Sequence, residues 1–225
     1  MAIFEGERSD YGFGTLERKD LFDDPFQQFK FWLDAAIAHN IPEPSAMCLS
    51  TVGEQLQPSS RFVLLRGIDH GFIFYTNYLS RKANELESNP HACLNFWWAT
   101  LERQIRIEGR VEKLSSSESD AYFNSRPFES QIASASSPQS QRINSRDELE
   151  EKVQELRRSG EENLVRPKHW GGYRLVPSDF EFWQGRSARL HERVASTMRE
   201  DGNHDKSTST KTNHPTAWEI NRLAP

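Results

Sequence analysis

Five runs between residues 46 and 114 (AMCLSTVG, SRFVLLRGI, GFIFYTN, HACLNFWWA and RQIRIEGRVEKL) constrain the fold more than any other feature of the chain. Each is short, aromatic and β-branched, and turn residues separate it from the next. Closely spaced strands of this kind predict an antiparallel sheet, as a meander or barrel, rather than βαβ units. In the last run Ile105, Ile107 and Val111 alternate with Gln104, Arg106, Glu108 and Arg110, so one face is apolar and the other polar. Further strands are expected at GGYRLVPSDFEFW, HERVASTM and AWEINRL.

Helices flank this sheet, giving a mainly β fold class. In DDPFQQFKFWLDAAIAHN, Asp24 can cap and Pro25 can take the first helical position. Phe26, Phe29, Leu33, Ala36 and Ile37 recur at helical spacing, so this helix should cover the sheet. Ser115 and Glu118 have capping-box spacing before a helix that Pro127 stops, and Ser145 and Glu148 repeat the device before Leu149, Val153 and Leu156, a stripe ending near Gly160. Residues 1–23 are polar with scattered aromatics and read as an arm, leaving 24–225 as a single domain. Within it, residues 199–216 have almost nothing to bury and are expected to form a mobile loop.

Of the 225 residues, 11% are aromatic, with fourteen Phe and six Trp, so the core is large despite a modest apolar content. The formal charge of -5 argues against nucleic acid as a partner, and any anion site must be local. No stretch is apolar enough to span a membrane, the N-terminus lacks the pattern of a secretory signal, and Cys48 and Cys93 read as two buried thiols in a reducing compartment. A soluble cytoplasmic protein is the expectation. GxGxxG, GxxxxGK[ST] and GxSxG are absent, and the seven histidines are dispersed without HExxH, so no metal site is expected.

What remains is a set of basic residues at element ends. Ser80 offers a cap to a helix whose first turn holds Arg81 and Lys82, where backbone N–H groups and two cations can converge on a phosphate. A solvated helix start is the alternative. Arg61 and Arg66 bracket the apolar run FVLL, and Arg126 follows Tyr122 at the i, i+4 spacing that puts both on one helix face. Gln104, Gln139 and Ser140 can hydrogen-bond a heterocycle edge. EFWQGRSARLHER packs an aromatic pair, three arginines and a histidine into residues 181–193, either as a solvated charged face or as part of a site. Together these residues point to phosphorylated, aromatic ligands.

RFVLLR, FYTNYLSRKANELESNP, LERQIRIEG, YFNSRPFESQI, PQS, WGGYRLVP, EFWQGRSARLHER and the terminal RLAP, in this order and at these spacings, resemble the pyridoxamine 5'-phosphate oxidase family over about residues 24–225. The resemblance implies an FMN-binding split β-barrel and a homodimer with FMN at the subunit interface. It implies FMN contacts at Arg61, Phe62, Val63, Leu64, Tyr75, Thr76, Arg81, Lys82, Gln104, Gln139, Ser140, Trp183 and Arg193. Substrate contacts would fall on Arg66, Tyr122, Arg126, Ser130, Arg189, Leu190 and His191, with Arg189 and His191 as the catalytic pair. The implied activity is oxidation of pyridoxamine and pyridoxine 5'-phosphates to pyridoxal 5'-phosphate, with O2 reduced to hydrogen peroxide. His191 can serve as an orienting group or as a general base.

The chain departs from the family pattern at Arg66, where lysine is common, at Ala133, where glycine is usual, and in the polar loop 199–216. If position 133 needs a positive φ, Ala133 strains its turn by roughly 1 kcal/mol. A different split-barrel flavin oxidoreductase and a non-catalytic FMN or pyridoxal 5'-phosphate carrier are the rival readings.

Overall fold

In a computed structural model, residues 10–199 and 218–225 are described. Apart from Arg199, the loop expected at 199–216 lies outside the described residues, as do the first nine residues of the expected arm. The strands are β1 (Ala46–Val52), β2 (Pro58–Leu64), β3 (Gly67–Ile68), β4 (Phe72–Asn77), β5 (His91–Trp98), β6 (Arg103–Lys113), β7 (Trp170–Gln184), β8 (Glu192–Met198) and β9 (Trp218–Leu223). Every expected strand is present. Strand order is β2-β1-β5-β6-β7-β4-β3, with β8 joined to β7 and β9 to β8. The pairs β3–β4, β4–β7, β7–β8 and β8–β9 are antiparallel. The path does not close on itself. With its flanking helices this is the antiparallel split-barrel class that the strand pattern and the resemblance imply.

The described chain divides into two compact units. One draws on Met1–Ala46, Leu94–Glu108 and Ser178–Pro225. Its helix α1 (Pro25–Ala38) starts as expected, with the Asp24 carboxylate accepting from the Phe26 N–H and Pro25 at the first position. The buried face runs through Phe29, Trp32 and Ala36, whereas Ile37, expected on that face, is 55% exposed. Trp32 takes its place because its ring packs edge-on against Phe182 at 5.4 Å, while Phe29 meets Phe96 at 5.0 Å.

The other unit comprises Met47–Cys93 and Gly109–Pro177. It carries α2 (Arg81–Ser88), α3 (Ser116–Ser125), α4 (Phe128–Ser136) and α5 (Arg146–Ser159). The capping box at α3 forms in both directions between Ser115 and Glu118. At α5 the Ser145 hydroxyl accepts from the Glu148 N–H, but the Glu148 carboxylate turns to Asn144 instead. Helix α4 was not expected from the sequence; Pro127 ends one helix and immediately heads the next. Ala133 lies inside α4 and is not among the residues with positive φ, so the strain anticipated there is absent. Cys48 and Cys93 are half-buried rather than buried. No helix among the described residues is long and apolar enough to cross a membrane.

Arg174 on β7 staples this unit. Only 7% exposed, it shares its single Nε–H between the two Asp69 oxygens at 2.9 and 3.1 Å, donates from NH2 to the same carboxylate at 2.6 Å, and makes further bonds to Glu112 and Glu118. Hydrogen bonding to Asp69 raises the guanidinium pKa further against the opposing effect of burial. Burial raises the Asp69 pKa, but bonds from Arg174 and the Gly71 N–H outweigh it and hold the carboxyl below its usual range. Arg174→Leu is expected to destabilise the protein by roughly 1–3 kcal/mol, below the value for a fully buried pair because the carboxylates are partly exposed. A depressed carboxyl pKa contributes stability at neutral pH and loses it as pH falls, so the deficit of the variant in denaturant melts should shrink below about pH 4.

Candidate active site

Both flanks of β4 converge on a cavity of about 730 Å³ in the second unit. Helix α2 follows β4 through a tight turn in which the Asn77 side chain accepts from the Leu79 N–H. This turn delivers Arg81 and Lys82 to the cavity lining. Ser80 precedes the helix as expected, yet its hydroxyl makes no capping bond and instead accepts from Lys82 Nζ at 3.3 Å. Lys82 is 8% exposed and also donates to Thr76 Oγ1 at 3.0 Å and Gln139 Oε1 at 2.8 Å. Burial, and then the neighbouring charge of Arg61, push its pKa down to about 8. The segment carrying Gln139 is tied to β4 by a bond from Asn77 Nδ2 to the Ser137 carbonyl at 3.1 Å, and Ser140 turns it with φ +68.

Arg61, on β2, spends most of its donors on the framework. NH1 reaches the Leu49 carbonyl at 3.2 Å and Thr51 Oγ1 at 2.5 Å, and NH2 reaches Ser59 Oγ and, at 3.2 Å, Glu85 Oε2. The other wall of the cavity is aromatic. Tyr75 and Tyr122 stack at 3.8 Å and 17°, and Trp170 lies nearly parallel to both, at 5.4 and 6.3 Å. The register that pairs Tyr75 with Gly172 leaves room for this stack, since a Cβ on Gly172 would come within 2.9 Å of Tyr75 Cε1 and collide with Leu114. Burial, and secondarily Tyr122, push the Tyr75 phenol up to about 12, so it remains neutral. Arg126 lies 4.8 Å over the Trp170 ring and donates to Ser134 Oγ at 2.7 Å. Burial holds its pKa down, Tyr122 raises it, and the like charge of Arg66 lowers it again.

The lining therefore holds five cations (Arg61, Arg66, Arg81, Lys82 and Arg126) and no carboxylate among the described residues. Such a donor set, beside flat rings, suits an aromatic ligand bearing phosphate, and FMN is one. Comparison with known proteins agrees. Residues 33–159 match the family described as pyridoxamine 5'-phosphate oxidase, and residues 170–225 match the pyridoxine 5'-phosphate oxidase C-terminal dimerisation region. The pyridoxine/pyridoxamine 5'-phosphate oxidase of Cupriavidus necator is 49% identical over 219 residues, 97% of each chain. The chain belongs to the pyridoxine/pyridoxamine 5'-phosphate oxidase family. The enzyme of that name from Trichormus variabilis is 48% identical over 97% of this chain and 96% of its own. Among solved structures, PhzG from Burkholderia lata 383, in complex with tetrahydrophenazine-1-carboxylic acid, is 32% identical with a TM-score of 0.82, covering 94% of this chain and 98% of its own. An FMN-binding protein of Nostoc punctiforme shares the fold at 15% identity, with a TM-score of 0.69, over 91% of this chain and all of its own.

Of the FMN contacts that the family resemblance implies, Arg61, Phe62, Val63, Leu64, Tyr75, Thr76, Arg81, Lys82, Gln139 and Ser140 all line the cavity. Of the substrate contacts, Arg66, Tyr122 and Arg126 do, whereas Ser130 lies on α4 outside the lining, its carbonyl accepting from Ser134. Gln104, Trp183, Arg189, Leu190, His191 and Arg193 belong to the first unit. There the His191 ring lies 4.7 Å from Trp183 and 5.6 Å from Tyr11, and His191 Nδ1 accepts from the Arg186 N–H at 3.2 Å. Arg189 follows Ala188 in a turn where both have positive φ, +62 and +53. Arg193 grips the buried Glu181 with Nε at 2.9 Å and NH2 at 3.1 Å. The sequence reading missed Trp170, Ser134 and Asn77, which line the cavity. The glycine pair after Trp170 was the available signal, because it marks a strand start where large rings approach the backbone closely.

A lysine whose pKa is lowered by folding binds fewer protons than its unfolded form between about pH 8 and 10, so apoprotein stability gains a rising contribution over that interval. Lys82→Met should remove this rise, seen as a flatter dependence of the melting temperature on pH between 8 and 10.

Proposed function

We propose that the protein oxidises pyridoxamine 5'-phosphate and pyridoxine 5'-phosphate to pyridoxal 5'-phosphate, using bound FMN and reducing O2 to hydrogen peroxide. The observation that carries this reading is the cavity lining, in which five cations and three stacked rings gather without a carboxylate inside an acidic chain. The chemistry FMN supplies when bound is acceptance of a hydride and return of its electrons to O2, which no side chain can do.

The protein's own part is binding and orientation. Arg81 and Lys82, with Thr76, Gln139 and Ser140, are assigned to the cofactor phosphate; Arg61 to Leu64, Tyr75, Gln104, Trp183 and Arg193 are assigned to the rest of the cofactor. Arg66, Tyr122, Arg126 and Ser130 are assigned to the substrate phosphate, where charge-assisted bonds fix the position of the pyridine ring. Arg189, Leu190 and His191 are assigned to that ring, with Arg189 and His191 nearest the reacting carbon. The wider guanidinium of Arg66 keeps the charge that a lysine would bring and adds a second donor edge. In this proposal the chain works in the cytoplasm and is built on a single split-barrel domain; the homodimer is supported by the match to the family's dimerisation region.

The PhzG likeness raises a rival substrate without a phosphate, and the Arg66, Tyr122 and Arg126 cluster favours the phosphorylated one. Anaerobic addition of pyridoxamine 5'-phosphate to the purified protein should bleach a flavin absorbance band, and readmitted air should restore it with release of peroxide. A colourless protein, or a band indifferent to the substrate, would reject the assignment. Arg189→Ala should leave the protein yellow while lowering turnover by about 100-fold.

A further inference from the structure

Glu85 contacts the cationic group from outside the cavity lining. It is 8% exposed, on the second turn of α2, and its carboxylate is saturated: Oε2 accepts from Thr51 Oγ1 at 2.5 Å, Ser59 Oγ at 2.6 Å and Arg61 NH2 at 3.2 Å, and Oε1 accepts from Arg81 Nε at 2.8 Å. Burial alone would raise its pKa, but these bonds hold it down at about 2, so it is ionised at every working pH. The two arginines depend on it unequally. Arg61 has Leu49, Thr51 and Ser59 as further acceptors. Arg81, whose side chain is 61% exposed, has Glu85 as its one protein acceptor among the described residues.

A long, exposed arginine loses side-chain entropy when it closes on a ligand, and a partner that already holds it reduces that loss. Arg81 belongs to the cavity lining, and engaging Nε alone leaves both of its terminal NH2 groups free of Glu85. We propose that Glu85 is a positioning residue for phosphate recognition, holding Arg81 at Nε so that its NH2 edge is preset for the phosphate of the flavin. This rests on the cofactor assigned above. The effect has a sign opposite to that of simple electrostatics, because removing a negative charge behind a phosphate site would by itself tighten anion binding.

Flavin fluorescence titration of the full-length apoprotein tests it, with FMN and riboflavin as probes and with wild type, Glu85→Gln, Arg81→Ala and the double variant. Riboflavin needs the same folded cavity but offers no phosphate, so the ratio of the two affinities is blind to general loosening. The expected result is an FMN affinity about tenfold weaker in Glu85→Gln, riboflavin affinity unchanged, and a double variant no weaker than Arg81→Ala alone. Unchanged or tighter FMN binding in Glu85→Gln would overturn the proposal, as would an equal loss for both flavins or additive losses in the double variant. A wild-type apoprotein that binds no FMN would overturn the cofactor assignment as well, whereas the other adverse outcomes would leave that assignment standing.

Discussion

Repulsion among like charges is the constraint around which the second unit is organised. Arg61, Arg66, Arg81, Lys82 and Arg126 share one lining with no acidic side chain among the described residues to neutralise them there. Charges so arranged persist only where the framework holds each from behind, because the Coulomb cost grows as water is excluded. For Lys82, Arg61 and Arg126 the framework does so in different ways. Lys82 is surrounded by hydroxyl and amide oxygens, Arg61 by a carbonyl, two hydroxyls and a carboxylate, and Arg126 by an indole face and Ser134. Among the described residues only Glu85 brings a full negative charge to this group, and it does so from outside the cavity lining. The field in the cavity therefore stays positive in a chain whose net charge is -5.

The aromatic wall follows from sheet geometry. Antiparallel pairing of β4 with β7 sets Tyr75 opposite Gly172 and Asn77 opposite Trp170, so Tyr75 and Trp170 are diagonal neighbours on one face. Tyr122 arrives from α3 to complete the stack, and the missing side chain at Gly172 makes the approach sterically feasible. Trp170 thus has two neighbours of different chemistry, a phenol stack and the Arg126 cation.

Much of this was legible in the sequence because strand alternation and helix caps are local properties. The β6 face of Ile105, Ile107 and Val111 is buried as its alternation requires, and Asp24, Pro25, Ser115 and Ser145 all begin helices. The failures arose where tertiary contacts override local pattern. Ile37 fits the apolar spacing of α1 but points away from the ring cluster that buries Trp32. Ala133 suggested a strained turn, but Pro127 starts a helix that contains it. For the site, the basic residues read at element ends, Arg61, Arg66, Arg81, Lys82 and Arg126, line one cavity, and the collinear family resemblance supplied their proposed roles. Neither could reveal Trp170 or Glu85, whose contributions depend on what β7 and α2 bring beside them.

The contact between His191 and the backbone decides which edge of that imidazole is polarised, and in what sense. A ring nitrogen that accepts from the Arg186 N–H presents a lone pair, so in the neutral ring the hydrogen resides on Nε2. Nε2 then offers a hydrogen to whatever lies before it, while the Nδ1 edge is held by the Arg186 backbone.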